Sequence, residues 1–204
     1  MAPAQTAQTT DSIRQRILEI ARQRFSHYGY GKTTMADIAG DADMSTANLY
    51  RYFTNKLDIA SACAQNCIQQ EHDQSHQAIS EKGLCAEQKL LRLTMLMIEH
   101  AHEVIAENTH LNETIAMITT ERPDIVHESL AAQQKMIAGI LLEGNNADEW
   151  QVDDTNATAK TLLSGLTLFN FPLFIGLFPK SEFEQRAKNL IDLFVKGMRA
   201  SSAT

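Results

Sequence analysis

Hydrophobic residues along the chain recur at three- and four-residue intervals, the spacing of an apolar stripe on an α-helix. Ile13, Ile17, Ile20, Ala21 and Phe25 follow Asp11 and Ser12, either of which can cap a first helix. That helix is predicted to stop at Tyr28-Gly29-Tyr30-Gly31, where glycine supplies the positive φ of a helix exit. Thr33 or Thr34 caps a short second helix to about Asp41, with Met35, Ile38 and Ala39 turned inward. Ser45 caps a third, Thr46 to Phe53, with Leu49 and Phe53 inward. Longer stripes follow over about 55–80, 86–107, 111–120, 123–144, 154–171 and 180–200. Pro123 takes a favoured first-turn position and Pro172 marks a break. Nothing in the pattern reads as a convincing strand, and no heptad run is long enough for a coiled coil. The chain is therefore predicted to be all-α, with about nine helices.

Aromatic residues divide the chain further. All four tyrosines fall within residues 28–52, whereas Phe169, Phe171, Phe174, Phe178, Phe183 and Phe194 gather near the end. Residues 1–11, rich in Ala, Gln and Thr, read as a flexible arm. Residues 12–56 read as a small helical head and 57–204 as a larger helical body. The first dozen residues lack the cationic start and apolar run of a signal peptide. Thr161–Pro179 is nineteen residues without a charge, long enough to reach across a bilayer. Its Ser164, Asn170, Pro172 and two glycines disfavour insertion, so it is expected to be a buried or subunit-facing helix, and no membrane is expected as a partner.

At 44% hydrophobic and 21% charged residues, the composition is that of a globular protein, neither disordered nor fibrous. Three cysteines, an odd number, suit reduced thiols and a cytoplasmic setting. The formal charge of −7 argues, as an average, against a phosphate-backbone partner. Its distribution reverses that inference. Residues 1–56 carry seven basic and five acidic side chains, and residues 57–204 carry eleven and twenty. An acidic body behind a mildly basic head repels nucleic acid everywhere except at the head.

The informative stretch is Thr33–Lys56, TTMADIAGDADMSTANLYRYFTNK. Two short helices joined by a tight turn, after a longer support helix, make a helix-turn-helix. Ala39 and Ala42 are small where the helices cross, and Ile38, Met44, Leu49 and Phe53 supply a miniature core. Ser45 presents the N-terminus of the third helix, whose first turn holds Thr46, Ala47 and Asn48. Asn48 suits bidentate pairing with adenine, Thr46 a hydrogen bond or methyl contact, and Ala47 an apolar contact in a major groove. Thr34, Tyr50, Arg51, Tyr52 and Lys56 stand where hydroxyls and cations can hold phosphates.

These residues carry a resemblance. Ile17, Ala21, Phe25, Gly29 and Thr33-Thr34, then Asp37-Ile38-Ala39, then Ser45 with Leu49-Tyr50, Phe53 and Asn55-Lys56, resemble the DNA-binding domain of the TetR/AcrR family of bacterial transcriptional regulators. The resemblance covers about residues 12–60. It implies an all-helical homodimer, DNA heads on a palindromic operator, usually as a repressor, and a C-terminal domain that binds a small effector and dimerises through the last two helices. One departure is Asp43, where the family usually has glycine in the turn; aspartate tolerates the left-handed conformation better than most residues.

Other constellations read as structure rather than chemistry. Gly29-Tyr30-Gly31-Lys32-Thr33 ends like a phosphate-binding loop, but Ser26 stands where that motif needs glycine. Cys63 and Cys67 share one helix face, and His72 and His76 lie on the opposite face, so one helix cannot close a tetrahedral site with them. His100, Glu103 and Glu107 form a polar stripe opposite an apolar one, ordinarily a wet face. No hydrolase or metalloprotease motif is present, and neither an enzyme activity, a metal nor a cofactor is expected. For an effector, the absence of aromatics between Thr54 and Glu149 favours a flexible apolar molecule, with Met97, Met117, Trp150 and Asn170 as candidate contacts. The competing readings are a helical module whose head docks on protein, and an activator in place of a repressor.

Overall fold

The computed structural model describes residues 3–106, 110–170 and 172–200; the side chains at 3–9, 104–106, 111, 170, 172–173 and 200 lie outside that description. Among the described residues there are nine α-helices and no strand: α1 Pro3–Tyr28, α2 Met35–Asp41, α3 Thr46–Leu49, α4 Lys56–Ile79, α5 Ala86–Ala106, α6 Leu111–Glu121, α7 Pro123–Asn146, α8 Thr155–Asn170 and α9 Lys180–Ala200. A 3₁₀ turn, Pro172–Leu177, fills the break that Pro172 marks in the sequence.

Two boundaries differ from expectation. Helix α1 does not start at Asp11 or Ser12 but runs back to Pro3, through residues read from sequence as an arm. Proline suits a first helical turn, and alanine and glutamine propagate a helix well. Helix α3 ends at Leu49 rather than Phe53. Its last turn tightens, with the Arg51 and Tyr52 amides bonding back three residues to Asn48 O and Leu49 O. Such tightening is common at helix ends, and the Tyr-Arg-Tyr-Phe sequence adds little helix propensity to resist it.

The chain divides into two compact units, one within Met1–Ile68 and Glu107–Val126, the other within Gln69–Ala106 and His127–Thr204. In the first, α1 packs on α2 and α6, and α2 on α3. Its core joins Ile17, Ala21 and Phe25 of α1 to Ile38 and Ala39 of α2, Leu49 of α3, Ile59 and Ala60 of α4, and Ile118 of α6. The head's core thus reaches past residue 56 to recruit the start of α4 and Ile118 of α6, with Met117 packed against it.

In the second unit, α5 packs on α8 and α9, and α8 on α9. Leu90, Met97 and Ile98 meet Ile137 and Leu141 of α7, Leu162 and Leu166 of α8, and Phe183 and Ile191 of α9. Each such fully buried side chain stabilises the fold by about 1.5–3 kcal/mol relative to exposure. No helix among the described residues is long and apolar enough to cross a membrane. The uncharged stretch from Thr161 instead turns Leu162, Leu163, Leu166 and Phe169 into this core.

Candidate nucleic-acid interface

The helix-turn-helix is assembled by side chain-to-backbone caps. Thr34 closes a capping box: its hydroxyl accepts from the Asp37 amide, and the Asp37 carboxylate accepts from the Thr34 amide and hydroxyl. Those hydrogen bonds from Thr34, helped by the nearby Arg24 guanidinium, hold the Asp37 carboxyl below the usual carboxylate range. Arg24 bridges Asp37 at 3.2 Å and also pairs with Asp41, pinning α1 to both ends of α2. The turn follows: Asp43 adopts φ +56°, the left-handed conformation expected where the chain lacks glycine, and the Met44 amide returns to Ala39 O at 2.9 Å. Ser45 then caps α3, its hydroxyl accepting from the Asn48 amide at 3.1 Å.

Beyond the cap, the side chains of Thr46, Asn48, Tyr50 and Arg51 make no hydrogen bond or ion pair among the described residues. Ala47, Tyr50 and Arg51 are exposed; Thr46 and Asn48 are half-exposed, and Tyr50 stands 53% open. Leu49 faces the opposite way, fully buried. A four-residue helix therefore shows one anchored side chain and a row of unspent donors and acceptors. Tyr52 is different: its ring packs half-buried against the core, and its carbonyl accepts from Arg14 at 2.8 Å. Arg14 itself lies over the Phe53 ring, 4.1 Å from the centroid.

Lys56 and Thr34 are also more committed than sequence implied. Lys56 Nζ donates to Tyr30 O at 2.6 Å and Thr33 O at 2.7 Å and sits 4.1 Å above the Tyr30 ring. Burial lowers its pKa, against the opposing pull of Glu113. Lys56 thus ties the loop before α2 to the start of α4. Glu113 grips the same loop from α6, accepting the Gly31 amide at 2.8 Å. Gly29 needs glycine for its φ of +84°, whereas a Cβ on Gly31 would stand 2.6 Å from the end of the Glu113 carboxylate and displace it from the Gly31 amide.

Ion pairs consume much of the head's basic surplus. Arg16 pairs with Asp43, Arg22 with Glu19, and Arg24 with Asp37 and Asp41. With Arg14 and Lys56 on backbone carbonyls, Lys32 and Arg51 are the head's cations without a protein partner among the described residues. Lys32, exposed in the loop before α2, was not singled out from sequence; its signal was its place between the Gly29-Tyr30-Gly31 turn and the capping threonines.

The candidate effector contacts fall in separate places. Met97 and Trp150 are buried in the second unit's core, and the Trp150 Nε1–H donates to Leu141 O at 3.0 Å. Its ring rests on Gly144, where a Cβ would come within 2.2 Å. Trp150 is thus a core member with its polar atom satisfied. Met117 packs half-buried against the other unit's core, and the Asn170 side chain lies outside the described residues, as does Glu107. Cys63 is half-buried, its thiol donating to Leu18 O, and desolvation pushes its pKa to about 12. His72 is buried against Ser129 at 3.4 Å, and His100 stands 3.7 Å from Glu71.

The family profile described as "Bacterial regulatory proteins, tetR family" matches residues 17–63, and "Tetracyclin repressor-like, C-terminal domain" matches residues 86–191. No curated protein matches in sequence. Among solved structures, a TetR-family transcriptional regulator from Mesorhizobium loti is similar, with TM-score 0.74 at 19% identity over 92% of this chain and 96% of that one. A transcriptional regulator from Cytophaga hutchinsonii gives TM-score 0.70 at 22% identity over 90% and 96%. The regulator FadR of Bacillus subtilis, solved in complex with stearoyl-CoA, gives 0.61 at 20% identity over 90% and 98%.

Proposed function

The chain belongs to the TetR family of bacterial regulatory proteins and is a DNA-binding transcriptional regulator, and on that premise we propose that it is a cytoplasmic repressor that binds a palindromic operator as a homodimer and is released by a small molecule. The observation that carries the reading is the first turn of α3, where one buried leucine anchors a helix whose other side chains have no hydrogen-bond or ion-pair partner among the described residues. Thr46, Ala47 and Asn48 read base edges in the major groove, with Asn48 suited to adenine. Tyr50, Arg51 and Lys32 hold phosphates; Ser45 and Thr34 act as caps that aim the two helices, and Lys56 and Tyr52 as residues that seat them.

Residues 12–56 form the DNA-reading part, and residues 57–204 the effector-binding and dimerising part. Dimerisation through α8 and α9 is supported by Leu193, 67% exposed on the outer face of α9 with the partly buried Leu190 and Phe194 nearby in sequence. Two heads on one operator make up for the small basic surplus of each, since the second contact becomes intramolecular. For the effector, a flexible apolar molecule suits the aliphatic and methionine side chains that make up the second unit's interior, Met97 among them. The stearoyl-CoA of the B. subtilis protein has such a chain.

The test is footprinting of the purified protein on a genomic fragment library, followed by a screen for metabolites that release it. Binding is expected to weaken steeply with salt, and Asn48→Ala to relax one base position, with a loss of about 1–3 kcal/mol of discrimination there. Binding that is absent, or indifferent to salt, would refute the proposal.

A further inference from the structure

A polar cleft of about 320 Å³ opens in the first unit, apart from the α3 face, between α1, the segment that follows α3, the start of α4, and the α6–α7 junction. Arg14, Phe53, Asp58, Ser61 and Arg122 line it, with Tyr52 at its edge. Nothing in the DNA-reading role uses this cleft, and three of its features point to a ligand.

Ser61 is 2% exposed, and its hydroxyl has no hydrogen-bond partner among the described residues. A hydroxyl removed from water and left unbonded is costly, and native proteins usually satisfy one with a partner. Arg14, held flat on the Phe53 ring and tethered through one nitrogen to Tyr52 O, retains further donors in a fixed plane. Arg122 brings a second guanidinium, fixed by Asp124 through bonds of 2.7 and 2.9 Å. Against these donors stands the Asp58 carboxylate, one oxygen of which accepts the Thr54 amide.

We propose that this cleft binds a small oxyanion that carries a neighbouring hydroxyl, a hydroxycarboxylate or the phosphate ester of a polyol. The oxyanion faces the Arg14 guanidinium, whose remaining N–H donors match planar or tetrahedral oxyanions, while Arg122, engaged by Asp124, contributes its charge to the lining. The hydroxyl donates toward Asp58 and completes the bonding of Ser61. A bare anion would meet the Asp58 charge without a donor to answer it, so the class is set by the mixed lining and not by positive charge alone. The volume is sufficient for a molecule of four to six carbons, below the size of the ligands expected for a drug-sized pocket.

Isothermal titration of the full chain with L-malate, citrate and glycerol 3-phosphate, at matched ionic strength with chloride and sulfate as controls, tests the proposal. Saturable binding of one molecule per chain is expected for a carboxylate or for the phosphate ester, which tells the two sources apart. Arg14→Gln should weaken that binding by about tenfold or more, the loss of a hydrogen bond to a charged group, and Ser61→Ala by about fivefold, the loss of a neutral one. Ser61→Ala, which removes an unbonded hydroxyl, should melt no lower than the parent in the absence of ligand. No saturable binding by any of the three probes, or binding that Ser61→Ala and Arg14→Gln both leave unchanged, overturns the proposal.

Discussion

Replacing Lys56 by methionine separates two roles that sequence alone does not distinguish. A lysine at the start of α4 reads from sequence as a phosphate ligand, yet its ammonium lies 2.6 and 2.7 Å from the carbonyls of Tyr30 and Thr33. Methionine keeps the stem and removes both bonds. A hydrogen bond to a charged group contributes about 1.5–3 kcal/mol. The site is only half-buried, so water replaces part of the loss, and the Tyr30 carbonyl keeps the Thr33 amide at 3.3 Å. The net expectation is a destabilisation of about 2 kcal/mol, or roughly 1 M in urea midpoint at an ordinary m-value. Operator affinity should fall for every sequence alike, because the loop that sets α2 against α4 loosens. The slope of log Kobs against log salt should stay at its parental value. A phosphate ligand behaves otherwise: its loss flattens the slope by about 0.9 per contact, hence nearly two units for a dimer. Arg51→Ala, which removes an exposed cation without a protein partner, supplies that contrast. If Lys56→Met leaves stability unchanged and flattens the slope as Arg51→Ala does, the internal role assigned to Lys56 is wrong.

Three further outcomes follow from the same geometry. Asp43 at φ +56° should tolerate glycine within about 0.5 kcal/mol but lose about 1 kcal/mol as alanine, since only glycine escapes left-handed strain and the exposed pair with Arg16 adds little; chemical denaturation of the two variants decides. Gly144→Ala should cost about 2 kcal/mol and red-shift the emission of the single tryptophan, because a Cβ 2.2 Å from the Trp150 ring forces it off Leu141 O; unchanged stability with unchanged emission would contradict the packing. Burial, with His76 adding to it against Asp73, holds His72 below the ordinary imidazole value of 6.5. Its contribution to stability is therefore complete above 6.5 and is lost as pH falls through the lower folded value, so His72→Gln should narrow the stability difference between pH 7.5 and 5. The comparison cancels Glu71, whose carboxyl burial pushes the other way in both proteins.

Helix positions were legible because apolar periodicity is a local property. Thr34 and Ser45 could be named as caps, and Asp43 as a left-handed residue, from a few neighbouring residues each. Where reading failed, the deciding partner lay far along the chain. Nothing near Gly31 announces Glu113, eighty-two residues on, as the acceptor of its amide. Trp150 looked available to a ligand because sequence shows an isolated tryptophan and hides the contact of its ring with Gly144, near the end of α7. Helix α3 was read too long for the opposite reason: Leu49 and Phe53 are both buried, as expected, but a tightened turn places Phe53 inward as well as a regular helix would.

Charge is where the two levels diverge most usefully. Seven basic residues in the first fifty-six looked like a modest field for phosphate, yet three of them face acids, and two more hold carbonyls. The cations are therefore mostly engaged within the protein, Arg14, Arg16 and Arg24 in fixing α1 to the helix-turn-helix, and only Lys32 and Arg51 remain for phosphate among the described residues. Nonspecific binding scales with phosphates neutralised, so a head with few unspent cations gains little from arbitrary DNA. On the proposed reading, discrimination then rests on Thr46, Ala47 and Asn48, and the ion pairs of Arg16 and Arg24 serve it by tying α1 to α2 and the turn. A head built this way trades general affinity for selectivity, and adding cations at exposed positions such as Gln23 should raise nonspecific binding more than operator binding.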